Sequence, residues 1–278
     1  MTTLVLQGTS LTRDAADKIA TQLSGELSYN SLFATVACQA VLDLELNSLK
    51  TSYDFDINVL PDGFETGSAK LLVTDMDSTL INIECVDEIA DFINVKPQVA
   101  EITEAAMRGE IDFETSLRQR VSLLKGLDVS ALERVYEERL QLNPGAELML
   151  KGLQQQNIKT ALVSGGFTFF TERLKQRLGL DYTMANVLGE HNGKLTGEVD
   201  GDICGAQAKA DFLLAHCEKL DILPSQVVAM GDGANDLLMM DEAGLSIAYH
   251  AKPKVQQQAS TALNYCGLDG VLGLLQLS

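Results

Sequence analysis

The apolar positions of this chain change period several times, and the changes outline its elements. Leu71-Leu72-Val73 is a short uninterrupted apolar run, as expected of a strand buried on both faces. Ile158 to Val163 and Val227 to Met230 repeat that pattern, and Leu245 to Tyr249 is a further short candidate. Between these runs the spacing lengthens to that of amphipathic helices, over 146–156, 168–178 and 205–219, and the chain ends in another helical stretch. Residues 185–199 read as a hairpin with Asn192-Gly193 as its two-residue turn. Strands alternating with helices predict an α/β fold, a doubly wound parallel sheet whose ligand site lies beyond the carboxyl ends of the strands.

Two stretches fall outside that alternation. Residues 82–143 are charged and helical throughout: Val86, Ile89, Ala90 and Ile93 share a face, Pro97 opens a second helix, and further helices span 113–124 and 130–140. An all-helical insertion directly after a strand suggests a lid that excludes water. Residues 1–68 form a separate small unit, with strands over 3–7 and 54–60 and a helix from Thr12 to about Gly25. The run 32–46 fits two strands or a strand and a helix. The pattern reads as a β-α-β-β module similar to a shortened ACT-like domain, joined through Gly67-Ser68 to a main domain over 69–278.

Chemistry concentrates where the buried runs end. They terminate in Asp75-Met76-Asp77, in Ser164-Gly165-Gly166 and in Gly231-Asp232-Gly233-Ala234-Asn235-Asp236. Asp75 and Asp77 stand two positions apart, so in an extended chain both side chains face one way. Paired carboxylates at the end of a buried strand are costly without a cation, and an all-oxygen donor set points to Mg²⁺.

Composition narrows the partners. A net charge of -18 over 278 residues argues against nucleic acid and anionic membranes, whose phosphates would be repelled. A phosphorylated small molecule stays open, because a metal and a few placed cations can reverse the potential locally. Five scattered cysteines without a Cys-x-x-Cys pair read as reduced thiols. With no leader-like start and no run long enough to span a membrane, a soluble cytoplasmic protein is expected.

Asp75-x-Asp77-x-Thr79 after a hydrophobic strand, followed in order by Ser164, Lys209 and the Gly231–Asp236 segment, resembles the haloacid dehalogenase superfamily of phosphotransferases. The resemblance implies a Rossmann-like core with a helical cap at about 82–143. It implies Asp75 as nucleophile and Asp77 as acid and base. Mg²⁺ would be held by Asp75, the Asp77 carbonyl and Asp232. Ser164, Gly165, Lys209 and Asn235 would hold the phosphoryl oxygens, and Asp236 would orient Lys209 or a metal-bound water.

Within that superfamily, Glu84, Asp87-Glu88-Ile89-Ala90 and Phe113 to Val121 resemble the phosphoserine phosphatases, over about residues 69–278. This implies Glu84 for the substrate ammonium, Arg120 for its carboxylate, and Met107 and Phe113 as shields of the closed site. The N-terminal module could bind an amino acid or pair two copies. Two other readings remain at this stage: hydrolysis of another small phosphomonoester, and a non-catalytic serine sensor.

Overall fold

The computed structural model describes residues 1–30, 32–108 and 110–277. The chain opens with β1 (Thr2–Gln7), α1 (Arg13–Gln22), β2 (Glu26–Tyr29), β3 (Ala34–Cys38), α2 (Asp43–Ser52) and β4 (Asp56–Val59). Thr12 caps α1 by accepting the Ala15 N–H at 3.2 Å. The four strands form an antiparallel sheet in the order β2-β3-β1-β4. Alternation along β1 sends Leu4 and Leu6 towards Ala16, Ile19 and Leu49 of the two helices, while Val5 joins the core of the larger sheet.

The module is therefore a complete β-α-β-β-α-β unit, not the shortened β-α-β-β expected. The 32–46 run divides into a strand and the start of a helix. Strand β2 escaped notice because it is a half-exposed edge strand with little apolar patterning.

The larger unit contains β5 (Leu71–Thr74), α3 (Cys85–Asp91), α4 (Lys96–Met107), α5 (Phe113–Ser122), α6 (Ser130–Glu138) and α7 (Ala146–Gln155). It continues with β6 (Lys159–Phe167), α8 (Thr168–Leu178), β7 (Tyr182–His191), β8 (Lys194–Asp200), α9 (Ala206–Leu220) and β9 (Val227–Gly231). It ends with α10 (Leu237–Glu242), β10 (Leu245–Tyr249), α11 (Pro253–Gln258), β11 (Thr261–Leu263) and α12 (Gly270–Leu274). The seven strands lie in the order β11-β10-β9-β5-β6-β7-β8, all parallel except β8.

The three strands bearing the polar motifs, β9, β5 and β6, are thus immediate neighbours at the centre of the sheet. Their polar ends converge although they are far apart in sequence. The β7–β8 turn has Asn192 at φ 52° and Gly193 at φ 74°, the left-handed pair that a two-residue hairpin turn requires. Strand β6 runs past Val163 to Phe167 instead of giving way to a loop, and its register against β7 shifts between those two residues. Among the described residues, no helix is long and apolar enough to cross a membrane.

Two side chains of β4 fasten the small sheet to the large one. Asn58 donates to the Ala262 carbonyl and accepts the Ala262 N–H, each at 2.8 Å. Asp56, buried two residues earlier on the same face, accepts the N–H groups of Asn264 at 2.7 Å, Tyr265 at 3.1 Å and Cys266 at 2.9 Å. Asp56→Ala removes the charged acceptor of all three N–H groups and should cost about 2–3 kcal/mol in urea unfolding. A change under about 0.5 kcal/mol, typical of a surface position, would contradict this junction.

Candidate active site

Strand β5 ends at Thr74, but the Asp75 N–H still donates to the Met230 carbonyl of β9 at 2.9 Å. The chain then makes a single tight turn over Met76–Leu80, with Ser78 at φ 57°. Asp75 and Asp77 both keep extended backbone angles. Their carboxyls consequently line one cleft, though they lie beyond the strand and not within it.

Lys209 projects from the first turn of α9, whose N-cap is Gly205. It is fully buried, with Nζ 2.7 Å from Asp75 Oδ1 and 2.7 Å from Asp236 Oδ1. Asp236 uses its other oxygen to accept the Gly233 N–H at 3.0 Å. A Cβ on Gly231 would come within 2.3 Å of Asp236 Oδ2, so the glycine makes room for the carboxylate.

One ammonium serves two carboxylates here, and a third is close. Asp75, Asp232 and Asp236 each present an oxygen within 4.8 Å of the others. Burial, and next the charge of Asp236, push the Asp75 carboxyl well above its ordinary range, against the pull of Lys209. Burial followed by Asp236 and Glu84 pushes Asp232 up to about 6. Burial opposes the charge on Lys209, yet Asp236 and Asp75 hold its ammonium above the ordinary lysine range. The cluster is short of positive charge, and with both Asp236 oxygens already engaged, Asp75 and Asp232 are the carboxylates that suit a hard divalent cation. The Asp77 carboxylate stands apart from that set: it accepts the Cys85 N–H at 3.3 Å, and burial followed by the charge of Glu84 raises it to about 7.

Above the cluster lies a cleft of about 300 Å³. Asp75, Asp77, Ser164, Gly165, Asp232 and Asn235 line it from the sheet, and Glu84, Phe113 and Arg120 from the helical insertion. Ser164 accepts the Gly166 N–H at 2.8 Å. Phe113 lies over Gly165, where a Cβ would come within 2.9 Å of its ring. Glu84 accepts from Ser78 Oγ at 2.8 Å. The Arg120 guanidinium is drawn down by burial and held up by the charges of Asp87, Glu84 and Asp77. Of the residues singled out from sequence, the Met107 side chain alone lies outside those described.

Thr79, Asp87 and Lys252 also belong to the site, with no role assigned to them from sequence. Thr79, the last residue of the Asp-x-Asp-x-Thr pattern, donates to Asp232 Oδ1 at 3.3 Å. Asp87 lines the cleft beside Arg120 and opens the Asp87-Glu88-Ile89-Ala90 segment. Lys252 also lines the cleft, and its N–H donates to the Asp232 carbonyl at 3.3 Å. It sits after β10 in no pattern that sequence reasoning had marked.

Comparison with known proteins agrees with this geometry. A model of haloacid dehalogenase-like hydrolases matches residues 69–244. A phosphoserine phosphatase of Polaromonas sp. (strain JS666) is 56% identical over 225 residues, covering 79% of this chain and 95% of the relative. The unliganded structure of a probable phosphoserine phosphatase from Vibrio cholerae superposes with a TM-score of 0.85 at 39% identity, covering 99% of this chain and 86% of that one. A structure described as a phospho-aspartyl intermediate analogue of phosphoserine phosphatase gives 0.69 at 42%, covering 73% of this chain and 97% of that one. With its motif strands adjacent, its lysine shared between two aspartates and a family match over most of its length, the chain belongs to the haloacid dehalogenase-like hydrolases.

Proposed function

We propose that this protein hydrolyses O-phospho-L-serine to L-serine and phosphate through an aspartyl-phosphate on Asp75. The observation that carries the reading is one cleft holding Asp75 and Asp77 on its floor with Glu84 and Arg120 on its rim. Phosphoserine offers a phosphate to the floor, an ammonium to Glu84 and a carboxylate to the planar fork of Arg120. The names of the relatives support the same substrate.

Electrostatics dictates what the site must supply. A carboxylate approaching a phosphate dianion at about 4 Å meets roughly 8 kcal/mol of repulsion at an effective dielectric near 20, about six powers of ten in rate. Lys209 cannot offset this alone, since Asp75 and Asp236 already share its charge. Mg²⁺ fits the deficit, and Asp75, Asp232 and the Asp77 carbonyl would hold it. When bound, it would neutralise charge between the carboxylates and the phosphoryl oxygens.

An Asp75 oxygen then bonds to phosphorus in line as the ester P–O bond breaks. Asp77, protonated, gives its proton to the departing serine oxygen. Asp77, now ionised, takes a proton from the water that attacks the aspartyl-phosphate, and phosphate leaves with Asp75 restored. Ser164, the Gly165 amide and Asn235 hold the phosphoryl oxygens, Asp236 keeps Lys209 on Asp75, and Phe113 shields the reacting centre. The same reading treats residues 1–68 as an accessory module able to pair two copies, in a cytoplasmic enzyme.

Phosphate release should favour phosphoserine over phosphothreonine, phosphoethanolamine, glycerol phosphate and p-nitrophenyl phosphate, and should vanish with chelator. Arg120→Ala should lower kcat/KM on phosphoserine about a hundredfold and leave p-nitrophenyl phosphate within about threefold. Equal loss on both esters would reject Arg120 as the carboxylate partner.

The pH dependence of stability has a definite sign. Asp77 at about 7 and Asp232 at about 6 lie above their unfolded value of 3.8. Their contribution to the chelated protein is fully present below the unfolded value and is lost as pH rises through about 6 to 7. A cation held by Asp75 and Asp232 requires their carboxyls ionised, so the Tm gained on adding Mg²⁺ should grow as pH rises through about 6, where Asp232 loses its proton. A gain independent of pH would contradict this arrangement.

A further inference from the structure

Asn186 is fully buried in β7, and its amide uses both ends. Nδ2 donates to the Gly165 carbonyl and Oδ1 accepts the Cys204 N–H, each at 2.8 Å. The two partners belong to different parts of the site. Gly165 lies where β6 bulges: Val163 pairs with Met184 and Phe167 with Asn186, so three residues, Ser164-Gly165-Gly166, stand opposite Ala185 alone. A bulge strips the ladder partners from the extra residues, and the Asn186 side chain returns one of them. Cys204 precedes Gly205, whose carbonyl accepts the Lys209 N–H at 3.1 Å in the first turn of α9.

One side chain therefore joins the Ser164–Gly165 bulge to the helix end that carries Lys209. The pairing demands a donor and an acceptor on one short planar group, which a carboxamide supplies and a carboxylate does not. Phe113 gives a second, independent sign that this spacing matters. Its ring bridges the two segments, lying 2.9 Å from a Cβ built on Gly165 and 3.6 Å from one built on Gly205.

We propose that Asn186 is a positioning residue for phosphoryl transfer, fixing the distance between the phosphoryl-holding bulge and the Lys209–Asp75 pair. The inference rests on the reading that this cleft hydrolyses phosphate esters, but not on phosphoserine being the ester. Displacing groups by about an ångström at a site of this kind can cost about a hundredfold in rate.

The test compares Asn186→Ala and Asn186→Asp on phosphoserine and p-nitrophenyl phosphate, well below each variant's Tm. Asp keeps the acceptor for Cys204 but sets an oxygen against the Gly165 carbonyl. The expected result is a fall in kcat of about tenfold to a hundredfold, by the same factor on both esters, with weaker inhibition by inorganic phosphate. The phosphoryl group is what the two esters share, so a common factor marks a phosphoryl-positioning role.

A folded variant with kcat within twofold of wild type on both esters, or with loss confined to phosphoserine, would overturn the proposal. A lower Tm with kcat retained would do the same, as it marks a purely structural bond. If wild type turns over p-nitrophenyl phosphate and not phosphoserine, the substrate reading fails and the p-nitrophenyl arm still decides Asn186. If neither variant folds, amide exchange in wild type decides. Orthovanadate should slow exchange at Gly165–Gly166 and at Cys204–Gly205 together, and protection of the first pair alone would overturn the clamp.

Discussion

The ammonium of Lys209 lies between two carboxylates in a place without solvent, and the rest of the site depends on how that charge is shared. Removing one member of such a buried set leaves an uncompensated charge and typically costs several kcal/mol. The set is also incomplete in sign, since Asp232 stands close to the same two aspartates. The deficit is what a divalent cation and a phosphate ester together would balance. A site built to be content on its own would hold neither.

Topology supplies the convergence. Placing β5 between β9 and β6 brings three polar strand ends side by side at the carboxyl end of the sheet. Each end is irregular in its own way: a tight turn after Asp75, a bulge at Ser164–Gly166, a short helical turn at Ala234–Asp236. Irregular backbone at strand ends exposes amides and carbonyls, and here side chains take them up. Asp236 receives the Gly233 N–H of its own turn, and Asn186 of β7 donates to the Gly165 carbonyl of the bulge. The helical insertion then closes over the floor, with Phe113 seated on glycines that leave room for its ring.

Much of this is legible in the sequence, for a physical reason. Strands buried on both faces must be continuously apolar, so the central strands β5, β6 and β9 stand out, and acidic or glycine-rich breaks at their ends mark the site. The features that sequence reading missed carry no period. Edge strands β2 and β11 are short and partly exposed. The β6 bulge reads as a loop because Ser-Gly-Gly normally is one. Asp56, Asn58 and Asn186 act through hydrogen bonds to backbone that is distant in sequence, and a single polar residue in a strand gives no sign of its partner. Lys252 is brought to the cleft by the path of the chain after β10.

In the proposed reaction Asp75 carries the phosphoryl group between substrate and water. Rapid quenching of the Mg²⁺-loaded enzyme during turnover of phosphorus-labelled phosphoserine tests it most directly. Label is expected on the peptide containing Asp75, released by hydroxylamine as an acyl phosphate is. Label on another residue, or steady turnover with no covalent label at any quench time, would contradict it.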